Sequence, residues 1–278
     1  MTIAVASGKG GTGKTTIALG LACVSDTPAH LVDCDVEEPN CHLFLNPRMV
    51  STRDVQVYMP DFDNDACTGC GACVAFCRFG ALALVKGRVM AFPELCHHCG
   101  GCEVVCPDRA VRSGTCVVGT VVSGSKNGMR FTHGRLAIGH PSAVPVIAAT
   151  LQAAADEAPL VVDAPPGTSC AMVATVRHAD YVVLVTEPTP FGLHDLKLAV
   201  ETVRSFGRPH GVVVNRMGIG DQRVHEYCKS EGVDVLAEIP DSRRIAEWYS
   251  QGELIANHSA EFREKMRQIW RGIGLALS

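Results

Sequence analysis

The sequence predicts an α/β fold with a mainly parallel sheet, interrupted by a small cysteine-rich block. Three observations carry this. Short apolar runs of strand length recur at 30–33, 160–163, 181–186, 211–215 and 233–239, separated by stretches long enough for helices, such as 193–206. Strands alternating with helices imply parallel pairing through crossovers. The opening TIAVASGKGG reads as a buried strand entering a glycine-rich turn, and TTIALGLACV after it has helical periodicity. The alternation fails between about 61 and 116, where Cys and Gly dominate and two cysteine runs resemble each other. The expected plan is therefore residues 1–60, an insert over 61–115, and residues 116–278 completing the first unit. Residues 117–138, with glycine-rich turns at 123–128, are expected to form a hairpin that returns the chain to the sheet and only connects.

Composition limits the functions available. The chain has 278 residues, which at about 150 per domain suits two domains or one enlarged one. With 47% hydrophobic and 19% charged residues, it is neither disordered, collagen-like nor coiled-coil. The longest uncharged stretch, 136–155, is broken by His140, Pro141, Pro145 and Gln152, so it fails as a spanning helix. The N-terminus has no basic region ahead of its apolar run, and a cytoplasmic chain is expected. A formal charge of −4 makes nucleic acid an unexpected partner.

Gly8-Lys9-Gly10-Gly11-Thr12-Gly13-Lys14-Thr15 satisfies G-x-x-x-x-G-K-[ST] between a predicted strand and a predicted helix, the context that motif requires. Its glycines let backbone N–H groups converge on phosphate oxygens, and the helix N-terminus adds its positive end. Lys14 would neutralise the β- and γ-phosphates and Thr15 would ligate Mg2+, with Thr16 completing the binding loop.

The 14 cysteines are distributed unevenly, 8 of them within the 40 residues 67–106. Such crowding in a cytoplasmic chain suggests metal and not disulfides. Cys67, Cys70, Cys73 and Cys77 repeat the spacing of Cys96, Cys99, Cys102 and Cys106, and Pro107 follows the second run. This is the spacing of a bacterial two-cluster ferredoxin, in which the fourth cysteine of each run crosses to the other cluster. One [4Fe-4S] cluster is therefore expected on Cys67, Cys70, Cys73 and Cys106, and the other on Cys96, Cys99, Cys102 and Cys77. Zinc sites pair two short knuckles and do not need four-cysteine runs. Arg78 follows Cys77 where ferredoxins commonly have proline. His97 and His98 fill the second spacer, either as solvated loop side chains or as a pair that makes the cluster potential pH-dependent. Cys23, Cys34, Cys41, Cys116, Cys170 and Cys228 fit no ligand spacing and are read as small hydrophobes.

The additional Lys9 inside the loop makes the sequence resemble the deviant Walker A ATPases of the MinD, ParA and nitrogenase iron protein class. LVDCDVEEPN, with Asp33, Asp35 and Asn40, matches that family's first switch, and VVDAPPG, with Asp163 and Gly167, its Walker B and second switch. VVVNR places Asn215 where the family contacts adenine, and Pro240 lies in a segment resembling the one flanking the base. The resemblance implies a three-layer P-loop NTPase carrying a small α+β ferredoxin-like insert, with ATP and Mg2+ as ligands. It implies a homodimer in the ATP state, in which Lys9 reaches the partner's phosphates. Asp163 would hold Mg2+ through water, and Asp35 would position or deprotonate the attacking water. Asp195 either faces the phosphates or the partner subunit, as the resemblance implies, or is an ordinary first-turn helix acid. The C-terminal pattern Phe262, Met266, Ile269, Trp270, Ile273, Leu277 is expected to pack on the sheet, not to dock on a membrane as in MinD.

The leading expectation is an ATPase that couples nucleotide-dependent dimerisation to electron transfer through two [4Fe-4S] clusters toward an unknown redox or assembly partner. The alternatives are a MinD- or ParA-like spatial or assembly switch with sensory or structural clusters, and an Mrp-like cluster carrier. An amide ligase of the cobyrinate-synthase type lacks room for a glutamine-hydrolysing domain.

Overall fold

A computed structural model describes residues 1–25, 27–155 and 159–277. Its strands are β1 (Thr2–Ala6), β2 (His30–Asp33), β3 (Arg48–Phe62), β4 (Leu82–Val85), β5 (Arg88–Ala91), β6 (Val111–Lys126), β7 (Met129–Leu136), β8 (Leu160–Asp163), β9 (Tyr181–Thr186), β10 (His210–Met217) and β11 (Val235–Pro240). Among the described residues the main sheet runs β11-β10-β9-β1-β8-β2-β7-β6-β3. Its pairs from β11 to β7 are parallel; β6 runs antiparallel to both β7 and β3.

The central strands read as continuous apolar runs because both faces are covered. Ala4 and Ala6 of β1 point into one core with the helices Val144–Gln152, Cys170–Val176 and Pro190–Ser205, whereas Ile3 and Val5 point into a second. That second layer is built by the helices Lys14–Val24 and Ala260–Ala276, with Phe262, Met266, Ile269 and Ile273 buried. The C-terminal helix thus packs on the sheet as its spacing predicted, although Leu277 at its end is 39% exposed. No helix among the described residues is long and apolar enough to cross a membrane.

Two features differ from the sequence reading. Residues 48–62 were not expected as a strand, yet β3 is the outer edge of the sheet; of its 15 residues only Val55 and Pro60 are buried, so no period-2 stripe is visible. The expected connecting hairpin is structural: β6 begins at Val111, and β7 inserts beside β2 in parallel, with His133 opposite Asp33. Between β3 and β6 the cysteine-rich block holds the β4–β5 ribbon and the short helices Ala72–Phe76 and Gly101–Val104. Phe62 and Val111, at the two ends of this block, are paired across the ladder.

Candidate functional site

The loop after β1 is closed by short-range contacts. Ser7 Oγ donates to Lys9 O at 2.6 Å, and Gly11 and Gly13 take φ of 79° and 93°. The helix starts at Lys14, whose side chain and that of Thr15 are both buried. Asn215, at the end of β10, donates through Nδ2 to Thr12 O at 2.8 Å. A Cβ on Gly13 would stand 2.4 Å from that same Nδ2, so glycine is required there by contact as well as by φ.

Asp163 and Asp33 end adjacent strands in register. Thr15 Oγ1 donates to Asp163 Oδ2 at 2.6 Å, while Asp163 Oδ1 is buried with no partner among the described residues. The Asp33 carboxylate accepts the backbone N–H groups of Asp35, Asn40 and Cys41 at 3.1, 3.0 and 3.0 Å. Burial, and then the Asp163 charge, push Asp33 up to about 7. Burial also pushes Asp35 up to about 6, against the opposing pull of Lys14. Two buried carboxylates side by side, one with an orphaned oxygen and one hydroxyl in reach, form a hard-oxygen set that suits Mg2+.

A groove of about 400 Å³ runs over this loop. It gathers Gly10, Gly11, Gly13, Lys14, Thr15, Thr16, Asp35, Asn40, Asn215 and Pro240. Gly8, Lys9, Thr12, Asp163 and Gly167 lie outside its lining: Gly167 N–H donates to Ser7 O at 3.0 Å, and Gly8 abuts the Asp195 backbone. Lys9 Nζ pairs at 3.1 Å with Glu187 Oε2, and Arg216 Nη1 pairs with Glu187 Oε1 at 2.8 Å. Sequence reasoning missed Glu187, Arg216 and Tyr249 of this region. An acid directly after the buried strand β9 was the available signal for Glu187.

In the cysteine-rich block a hollow of about 70 Å³ is lined by Cys77, Cys96, Cys99 and Cys102 together with Tyr58, Phe76, Phe79 and Leu82. One water needs roughly 10–15 Å³, so the space exceeds a single solvent molecule several-fold. Cys77 therefore sits with three cysteines of the other run. Burial raises the Cys96 thiol, and neighbouring Cys99 and Cys77 add to it. Burial likewise raises the Cys73 thiol, and Cys102 and Cys106 add to it. The N–H groups of His98 and Ala110 donate to the sulfurs of Cys96 and Cys106 at 3.4 and 3.3 Å. Four free thiols around this apolar hollow, with the other four of the two runs also free, fit iron–sulfur ligation.

Other sequence expectations need correction. His98 is half-buried, with Nδ1 2.9 Å from Tyr58 O, so it is not a simply solvated loop side chain; His97 is exposed and stacks on Phe79 at 3.8 Å. Cys170 is exposed, not a buried hydrophobe, because it opens its helix at the surface. Cys41 is buried as expected but has polar company: its Sγ donates to Asp163 Oδ2 at 3.5 Å.

The parallel sheet and the glycine loop at the end of β1 define a P-loop nucleotide-binding protein. The chain belongs to the CobQ/CobB/MinD/ParA nucleotide-binding domain family, whose sequence model matches residues 3–255. MinD and ParA members are ATPases. Two uncharacterised proteins of Methanocaldococcus jannaschii are similar. One is 28% identical over 258 residues, 91% of this chain and 90% of that one; the other is 31% identical over 226 residues, 80% of each. An iron–sulfur cluster carrier protein of Aquifex aeolicus is 29% identical over 111 residues, covering 34% of this chain and 30% of the carrier. The septum site-determining protein MinD of Pyrococcus horikoshii, solved with Mg-ADP, has the same fold, with a TM-score of 0.58 at 17% identity over 98% of this chain and 96% of that one.

Proposed function

We propose that this protein is an iron–sulfur ATPase that binds Mg-ATP in the groove, dimerises in the ATP state and couples hydrolysis to electron transfer toward a protein partner. The single observation that carries the reading is the placement of Cys77 with Cys96, Cys99 and Cys102 in one hollow, the crossed ligation of a two-cluster ferredoxin. The insert over 61–115 is then the electron-transfer module, and the remainder is the nucleotide module.

On this reading Lys14 neutralises the transferring phosphate, and Thr15 with Asp163 holds Mg2+. Asp35, raised to about 6, is ionised at neutral pH yet more basic than an ordinary carboxylate, which suits a proton acceptor for the attacking water. Lys9 leaves Glu187 for the partner subunit's phosphates, and Asn215 and Pro240 flank the base. Two [4Fe-4S] clusters, when bound, supply one-electron chemistry at low potential. The N–H groups on Cys96 and Cys106 draw charge from the sulfurs and favour the reduced state.

Redox titration of the anaerobically purified protein, read by electron paramagnetic resonance, tests this. Two cluster signals are expected, with potentials that differ between ADP and a slowly hydrolysed ATP analogue. Clusters indifferent to nucleotide would leave the assembly switch as the better account. The Aquifex aeolicus relative favours a carrier as the second reading; it requires that clusters pass to an apo-acceptor, whereas resident clusters stay bound.

A further inference from the structure

The loop after β2, which carries Asp35 and Asn40 into the groove, also touches the far side of the sheet. Val36 is 1% exposed, and its carbonyl accepts the Leu136 N–H at 2.8 Å. Its side chain rests on β7 at Gly134, where a Cβ would stand 2.6 Å from Val36 Cγ1. Glycine at 134 therefore lets the loop seat directly on the strand. Immediately after Leu136 the chain turns: Ala137 N–H donates to Val118 O at 2.9 Å, Gly139 has φ of 84°, and His140 N–H donates back to Ala137 O at 3.3 Å.

This turn presents His140 to the cysteine block. The His140 ring lies 6.3 Å from that of His98, centroid to centroid and tilted by 39°, within the range of aromatic contact. His98 stands between Cys96 and Cys99 and holds φ of 56°, a left-handed conformation uncommon outside glycine. It is pinned there by its N–H on Cys96 Sγ and by its Nδ1 on Tyr58 O, and the Tyr58 hydroxyl in turn reaches Cys102 Sγ at 3.8 Å. The contacts from Val36 to Leu136, through the turn to His140, thus end at a histidine whose backbone holds a cysteine sulfur of the hollow.

We propose that His140 is a positioning residue that mechanically links the nucleotide groove to the cysteine hollow, so that nucleotide binding alters the backbone around Cys96 to Cys102 through the His140–His98 contact. The proposal rests on the groove being the nucleotide site. It requires no titration of either ring, only that the turn carries the strand-end displacement to His98.

The test is hydrogen exchange on the full chain, purified anaerobically, with and without a slowly hydrolysed Mg-ATP analogue, together with the cluster potentials of the same samples. Exchange at 95–103 is expected to change about fivefold on nucleotide addition in the unaltered protein, within the usual span of coupling between sites. In His140→Ala that response is expected to vanish while protection of the phosphate loop at 8–16 is retained. His140→Phe, which keeps a ring against His98, is expected to restore most of it. The link is overturned if His140→Ala keeps the full response at 95–103, or if the unaltered protein protects its phosphate loop without any response there. Cluster potentials that still shift with nucleotide in either of those cases would leave the proposed function standing. Absence of phosphate-loop protection would remove the groove reading, and the link with it.

Discussion

Gly13 is the residue on which the shape of the phosphate loop depends most directly, since its φ of 93° and the Asn215 amide at 2.4 Å from a notional Cβ leave no room for a side chain. Gly13→Ala is expected to cost roughly 1–3 kcal/mol and to be seen as a lower melting temperature with weakened binding of a fluorescent ATP analogue. Histidines His30 and His133 give a second expectation. Burial lowers each from the ordinary 6.5 to about 4; Arg130 adds to this at His30, as His42 and then Arg135 do at His133. Because the unfolded chain binds these protons first, the stability each contributes is present above pH 6.5 and is lost as pH falls toward 4. A melting-temperature profile should decline over that window, and His133→Gln should flatten it by roughly 3 kcal/mol in unfolding free energy. The phosphate-loop residues were legible because one short segment holds them all. Glu187 and Cys41 were not, since the first acquires meaning only beside Lys9 and the second only beside Asp163, over long separations in sequence.

At the scale of elements, strands β8 and β9 were legible as LVVD and YVVLVT because every residue is buried and the sequence reads as one apolar block. Strand β3 was illegible because its solvent-facing edge carries Arg48, Ser51, Arg53 and Asp54 without a repeating apolar face. The two cysteine runs were recognisable from spacing, and the crossing of Cys77 into the hollow of the other run gives that spacing a consequence. Cys77→Ser is expected to remove the cluster associated with Cys96, Cys99 and Cys102, leaving the cluster associated with Cys67, Cys70 and Cys73. Iron content should fall from about eight to about four per chain, while nucleotide binding in the groove is unchanged. Loss of both clusters, or retention of both, would contradict crossed ligation.

For the molecule as a whole, Lys9 would report on assembly under the proposed function. It is held by its own chain's Glu187 at 3.1 Å, and Glu187 also holds Arg216, so closure of the proposed dimer would have to break a partly buried ion pair before Lys9 could serve a partner. Light scattering should show the mass doubling with a slowly hydrolysed Mg-ATP analogue, and Lys9→Ala should stay at the single-chain mass. Glu187→Gln should close at lower nucleotide concentration, by roughly three- to tenfold, because about 1 kcal/mol of pairing no longer opposes it. The pairing of Phe62 with Val111 bears on how such a molecule can change. Because the flanks of the cysteine block meet as ladder neighbours, the sheet ends in an ordinary hairpin whose tip happens to be very long, and loop length adds to closure cost only logarithmically. Replacing residues 63–110 by Asn-Gly should therefore give a shortened chain that unfolds cooperatively and still takes nucleotide. On that expectation the cysteine block is a cassette, whose length and content are not dictated by the architecture that carries it.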